Sequence, residues 1–403
     1  MKLLGAALFG KSLVGKSKQA INRRTLTIAG AAALLGGCQL IPDSQPTTSI
    51  PDATPTPEPS ATALPSDATR HRVALLVPMS GNTAAVGQSL ANATTMALID
   101  TNASNLRITT YDTSQGAADA ARQAIADGNK LILGPLLAAN VPAVQAAARP
   151  AGVPAIAYSN DTTVANDNVF VMGHIPEQSI RRSVRYARRN GSNTFGALLP
   201  QGDYGQRSMS ALANALREYG GTLASSETYA RGNTSIVGAA QRLRTTGGYD
   251  TVLIADGARL AVQAASELRS DGAEGTRLIG TELWSGESAL ARSASVNGAL
   301  FAAVSDGRYK RFADSYETRF GGKPYRIATL GYDSVLLTLR VARDWRVGSR
   351  FPKSMLYDRG GFLGVDGPFR FGRDGVVERA LEVREVRSGE VVAVDPAPTT
   401  FGS

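Results

Sequence analysis

The chain has 403 residues, 43% hydrophobic and 19% charged, with a formal net charge of +9, a globular composition long enough for two domains. A single cysteine excludes a disulfide framework, a cysteine zinc site and a CxxC redox pair, and His71 and His174 are too few for a His-rich metal centre. Lys2, Lys11, Lys16, Lys18, Arg23 and Arg24 stand within residues 1–37 with no acid beside them, so the remainder is only about +3, too mild to argue for a nucleic-acid partner.

Thr25 to Leu35 is an apolar stretch of signal-peptide length behind a basic leader, too short to span a bilayer as a helix. It ends in Leu35-Gly36-Gly37-Cys38, which resembles the lipobox of bacterial lipoproteins. That resemblance implies cleavage before Cys38 and a lipid anchor on it, and Gln39 in the next position resembles the outer-membrane members. Arg23-Arg24 weakly resembles a twin-arginine export signal. Gly10-Lys11-Ser12-Leu13-Val14-Gly15-Lys16-Ser17 satisfies the phosphate-loop pattern. It lacks the buried strand before it and the sheet around it that such a loop needs. Residues 38–69 are rich in Pro, Thr, Ser and Ala, with no apolar period, and read as an extended tether.

From Arg72 the chain alternates strands and helices. Val73-Ala74-Leu75-Leu76-Val77 is a continuous apolar run, as in a strand buried on both faces. A helix carrying Val86, Leu90, Ala93 and Ala97 follows, then a strand over Leu106–Tyr111 and a helix over Ala117–Ala126. Leu131-Ile132-Leu133 is the third strand, stopped by Gly134-Pro135, with Asn140 expected to cap the next helix and Pro142 in its first turn. Val153–Tyr158 and Val169–Val171 complete this half. Pro176 opens a helix with Ile180, Val184 and Ala187 inward and Arg181, Arg182, Arg185, Arg188 and Arg189 outward. The outer arginines fit either a solvated face that complements the helix dipole or a docking patch for an anionic partner. A second alternation covers strands at 194–199, 223–229, 251–255, 277–280 and 299–304. Two amphipathic helices and a β-rich end beyond Phe362 close the chain. The expected fold is α/β, two doubly wound parallel-sheet lobes with a cleft at the strand ends.

Four places resemble the type I periplasmic solute-binding proteins of the leucine/isoleucine/valine-binding class. They are Val77-Pro78-Met79-Ser80-Gly81; Asp112 with Gly134-Pro135; Asp203-Tyr204-Gly205; and Gly364-Val365-Asp366-Gly367-Pro368-Phe369-Arg370-Phe371 with Gly375. The resemblance runs from about Arg72 to Val394 within a domain set at 70–395. It implies three crossings between lobes, near Met172, Ser305 and Phe371. Lobe 1 would then hold about 70–172 and 306–371, and lobe 2 about 173–305 and 372–395. Leu133-Gly134-Pro135-Leu136-Leu137 followed by Asn140-Val141 resembles the penicillin-binding protein activators, outer-membrane lipoproteins that stimulate a peptidoglycan synthase by contact. The chain lacks the helical-repeat N-terminal domain of their enterobacterial members.

By that resemblance Ser80, Gly81, Leu136, Ala138, Ser159, Asn160, Tyr204 and Glu282 line the cleft, with Glu282 matching the acid that meets a ligand ammonium. Leu136, Leu137, Ala138 and Ala139 stand where the class places small hydroxyl residues that hold a carboxylate. Neither a G-x-S-x-G elbow nor an H-E-x-x-H pair occurs. The expectation is therefore no catalysis, no metal and no cofactor, on the periplasmic face of the outer membrane, lipid-anchored through Cys38. The partner implied is a bifunctional penicillin-binding protein, touched by Arg181, Arg182 and Arg185. The alternative is an ABC permease fed with amino acids or similar solutes.

Overall fold

A computed structural model describes residues 69–401 apart from 233 and 271–274. The leader, the phosphate-loop pattern, Cys38 and the Pro-rich stretch lie outside the described residues. The first sheet is parallel throughout, with strands β1 (His71–Val77), β2 (Leu106–Asp112), β3 (Leu131–Leu133), β4 (Ala155–Ala157) and β5 (Val169–Val171) in the order β2-β1-β3-β4-β5. Helices α1 (Ala84–Asp100), α2 (Ala117–Ala126) and α3 (Val141–Ala148) connect them. Leu75, Leu133 and Phe170 fill one face of this sheet, and Leu76, Ile132 and Val144 the other. That two-sided burial explains why β1 and β3 read as unbroken apolar runs.

The second sheet repeats the plan. Strands β6 (Thr194–Pro200), β7 (Thr222–Tyr229), β8 (Thr251–Ile254), β9 (Arg277–Ile279) and β10 (Leu300–Val304) stand in the order β7-β6-β8-β9-β10. Helices α4 (Pro176–Arg189), α5 (Asp203–Tyr219), α6 (Ser235–Thr246), α7 (Ala258–Leu268) and the short α8 (Ser288–Ala291) cover it. In both sheets the order of the strands reverses beside the first strand, and this switch point is where open α/β sheets bind ligands.

The chain then returns to the first lobe. In α9 (Tyr309–Phe320), Phe312 and Tyr316 pack against Ala93 and Met96 of α1; in α10 (Thr329–Ala342), Leu330 and Leu337 join the Leu75 core. A small antiparallel sheet follows, β11 (Phe362–Gly364), β12 (Gly367–Phe371) and β13 (Val377–Arg379). The last pair, β14 (Leu381–Arg387) and β15 (Glu390–Asp395), adds to the second sheet antiparallel to β10. The final crossing expected near Phe371 thus falls later, between Arg379 and Leu381. Val377 is fully buried in the first lobe's core, so the chain cannot leave that lobe before it. Asn140 also departs from expectation. It adopts a helical backbone at the end of a 3-10 turn and makes no side-chain cap, while Pro142 does lie in the first turn of α3.

Gly134 is required by geometry. Its φ is +103°, and a Cβ there would stand 2.2 Å from the Leu76 carbonyl oxygen. No side chain fits while β1 and β3 remain paired. The same tightness recurs in the second lobe, where a Cβ on Gly205 would meet the Pro200 carbonyl oxygen at 1.8 Å.

Candidate functional site: the cleft at the strand ends

On the first lobe the rim is built from turns whose polar groups already have partners. Asp112 Oδ1 accepts from the Met79 and Ser114 amides, both at 2.8 Å. Ser80 is exposed; its Oγ accepts from Gln115 Nε2 at 3.3 Å, and its backbone exchanges bonds with Ser114 Oγ. Gly81 takes a φ of +75° and opens a 3-10 turn. After β3, Leu136 packs on the lobe's core, Leu137 is 39% exposed and Ala138 begins another 3-10 turn. Ser159 is buried, and its Oγ accepts from the Asp161 amide at 2.9 Å. A ligand carboxylate there meets apolar side chains where charge-assisted donors are worth most.

The second lobe presents a connected polar network. The Tyr204 hydroxyl, in the first turn of α5, lies 2.9 Å from Thr281 Oγ1 and donates to Glu282 Oε1 at 3.0 Å. Arg231 covers the Tyr204 ring, its guanidinium carbon 5.2 Å from the ring centre, and donates to Asp256 Oδ2 at 2.9 Å. Asp256 also accepts from the Tyr229 hydroxyl at 2.7 Å and from the Gly257 amide at 2.8 Å. Trp284 is fully buried, and its indole N–H donates to the Asp256 carbonyl at 2.8 Å. It is a packing residue, not a ligand stacker.

Glu282 stands out because Oε2 is buried without a hydrogen-bond partner. Burial pushes its pKa up to about 8, with the nearby Glu177 charge adding to the rise and Tyr204 and Arg207 opposing it. Burial and the Glu282 charge also raise Tyr204 well above its usual value, so the phenol keeps its proton and can donate it to Glu282 Oε1. A cation reaching Oε2 would meet an acceptor with no other claim on it.

Arg207 joins the two lobes. From α5 it forms a double bond set with Glu177 at 2.7 and 2.8 Å, and it donates to the Asn160 carbonyl of the first lobe at 2.7 Å. Of the expected cleft residues, Tyr204 and Glu282 are therefore in direct contact. Asn160 meets the second lobe through its backbone, while Ser80, Gly81, Leu136, Ala138 and Ser159 belong to separate first-lobe turns. Arg207, Arg231 and Asp256 were not expected. Asp256 and Arg231 each follow the end of a second-lobe strand, and inspecting every such position would have found them. Arg207 lies inside a helix and carries no comparable signal.

Behind the cleft, at the crossings, sits a buried charge cluster. Asp366 has no exposure and accepts from Arg326 at 2.6 Å and Thr329 at 2.9 Å, with His174 Nε2 at 2.7 Å and Arg379 at 3.9 Å. Burial alone would raise Asp366, but Arg326, His174 and Arg379 outweigh it and hold its pKa well below the carboxylate range. Burial and the Asp366 charge push Asp333 up to about 7. His174 is thus tied into this cluster through Asp366. Among the described residues, no group of His, Cys, Asp or Glu is placed to hold a metal ion, and no helix is long and apolar enough to cross a membrane.

The arginine helix also resolves residue by residue. Arg182 is held by Asp395 at 2.8 Å and by the Leu381 carbonyl at 3.2 Å, so it braces the fold and does not stand free as a contact residue. Arg188 closes the end of α4, donating to Tyr219, Ser192 and Asn193. Arg181 pairs with Glu218 at 2.7 Å. Arg185 and Arg189 are exposed and make no hydrogen bond or ion pair among the described residues.

Comparison with known proteins places this architecture. An uncharacterized protein of Rickettsia prowazekii is 32% identical over 159 residues, 39% of this chain and 43% of that protein. The penicillin-binding protein activator LpoA of Pectobacterium parmentieri is 32% identical over 123 residues, 30% of this chain and 18% of the activator. The alignments thus span less than half of either relative. A branched-chain amino acid transporter substrate-binding protein of Streptococcus pneumoniae, solved with isoleucine, superposes with a TM-score of 0.62 at 21% identity. That likeness covers 82% of this chain and all of the other (100%), and it concerns the fold alone. The family model described as periplasmic binding protein matches residues 71–390. With both lobes wound in the order described, the chain belongs to the periplasmic binding protein family.

Proposed function

We propose that this protein is a lipoprotein, anchored through Cys38 to the periplasmic face of the outer membrane. It regulates peptidoglycan synthesis by contacting and activating a bifunctional penicillin-binding protein, and it catalyses no reaction itself. The observation that carries this reading is the first-lobe rim. Leu136, Leu137 and Ala138 stand where a solute carboxylate needs donors, and the Ser159 hydroxyl is already bonded to the Asp161 amide. The Arg207 bridge onto Asn160 supports it further, because a guanidinium near Glu282 competes with a ligand ammonium. The partial similarity to the Pectobacterium activator agrees with it. The test mixes the purified full-length protein with the cell's bifunctional synthases and measures both co-purification and the rate of glycan polymerisation. Specific capture and a faster rate are expected. Neither capture nor stimulation with any of them would overturn the proposal.

A second reading rests on the unpartnered Oε2 of Glu282. In it the protein hands an amino acid or similar small solute to an ABC permease, with the ligand ammonium on Glu282. A ligand at a hundred times its dissociation constant stabilises by about 2.7 kcal/mol, plain in a thermal-shift screen of free amino acids. A strong response to one of them, abolished by Glu282→Ala, would favour this reading over contact.

A further inference from the structure

Away from the strand ends, a groove of about 790 Å³ lies between the outer face of α4 and the residues after β15. Arg181, Arg185, Arg189 and Arg370 line it, with Tyr219 near one side and Phe401 as a further aromatic wall. A second concavity of about 540 Å³ shares Arg181, Arg185 and Arg189. Three arginines on this surface already have carboxylate partners: Arg181 with Glu218, Arg182 with Asp395, and Arg370 with Glu378. Arg181 and Arg370 also lie over the rings of Tyr219 and Phe401, at 5.9 and 4.6 Å. These pairs fix the walls. Arg185 and Arg189, on one row of the helix, are exposed and make no hydrogen bond or ion pair among the described residues.

Arg181, Arg185 and Arg189 follow one another at four-residue intervals, so they rise along α4 in steps of about 6 Å. In an extended peptide, alternate side chains point the same way and repeat every 6.6 Å or so. A strand-like segment with acids at every second position therefore matches the arginine row in both charge and spacing. Guanidinium groups suit carboxylates better than lysines would, because they bind in two-pronged fashion. The groove is concave and its walls carry three carboxylates, which fits a narrow chain better than a flat anionic membrane surface.

We propose that this groove is the docking site for an extended acidic peptide segment of a protein partner, held by Arg185 and Arg189. The inference rests on the contact reading given above and names the chemistry of that contact. The experiment titrates the full-length protein into a fluorescent octapeptide of alternating Asp and Ala, with a Lys-Ala octapeptide as control. Binding of the acidic peptide alone is expected, weakening steeply as salt rises. The double substitution Arg185→Glu, Arg189→Glu is expected to weaken it at least tenfold, while Arg259→Glu, an exposed charge on α7, leaves it unchanged. No binding of the acidic peptide, or equal losses from both substitutions, overturns the proposal. So does full competition by inorganic pyrophosphate or by phosphatidylglycerol vesicles, since the groove would then be a general anion site or a membrane contact. Synthase co-purification separates the two proposals. If the doubly substituted protein still captures a synthase as the wild type does, the groove is excluded as the contact and the contact reading stands. If the wild type captures none, the contact reading falls and the peptide titration judges the groove on its own.

Discussion

Asp366→Ala is expected to destabilise the protein by about 3–5 kcal/mol, the usual cost of removing one partner from a buried ion pair. The carboxylate has no exposure, and the guanidiniums it serves are nearly as enclosed, Arg379 at 1% and Arg326 at 13%. After the substitution they cannot easily find other acceptors, because Arg379 Nε and Nη1 and Arg326 Nε and Nη2 already lack hydrogen-bond partners. Asp333 offsets part of the loss. The Asp366 charge is one cause of its raised pKa, so without that charge it ionises more readily and partly neutralises Arg379. The lower half of the range is therefore expected near pH 7. Urea unfolding followed by tryptophan fluorescence suits the measurement, since Trp284 lies in the second-lobe core and Trp345 in the first. Asp366, Arg326, Thr329 and Asp333 all lie in segments packed on the first lobe, so a variant keeping only Trp345 should show the larger shift. Asp366 has a folded pKa below its ordinary value of 3.8. Its contribution is present above pH 3.8 and is lost as pH falls, so the gap between variant and wild type should close in acid. A loss below about 1 kcal/mol at pH 7, or a gap that widens in acid, would refute the reasoning. Asp395→Ala, which frees only the partly exposed Arg182, is the control and should cost about 1 kcal/mol or less.

Glu282 titrates in the opposite sense. Its folded pKa of about 8 exceeds the ordinary 4.5, so its contribution holds below pH 4.5 and declines as pH rises through 8. Glu282→Gln should flatten the stability profile across that window, and an unchanged profile would mean the carboxyl is not desolvated. Gly134→Ala is expected to abolish soluble folded protein or cost several kcal/mol, because the left-handed φ and the Leu76 carbonyl both oppose a side chain; a normal melting curve would count against the close approach. Arg207→Met removes the bond to the Asn160 carbonyl and should let the lobes part more readily, seen as a larger radius of gyration in small-angle X-ray scattering. An identical radius would show that the bridge does not hold the lobes.

The strands and helices of both lobes could be read from the chain because burial leaves a local trace. Val73–Val77 and Leu131–Leu133 are unbroken apolar runs because helices cover both sheet faces, and Ile180, Val184 and Ala187 recur at helical spacing because one face of α4 is buried. Residues at strand ends, such as Tyr204 and Glu282, were also legible, since strand ends define the cleft. Which of their neighbours complete the network was not. Arg207 reaches Asn160 and Arg231 reaches Asp256 only after the sheets are wound, and no local pattern encodes contacts between residues so far apart in the chain. The arginines of α4 make the same point. Their sequence shows five equivalent cations on an outer face, whereas the fold assigns Arg182 to Asp395, Arg188 to the helix end and Arg181 to Glu218. Local periodicity determined the elements and the cleft; only the tertiary structure decided which charges are neutralised, because pairing depends on distances that chain folding alone brings about.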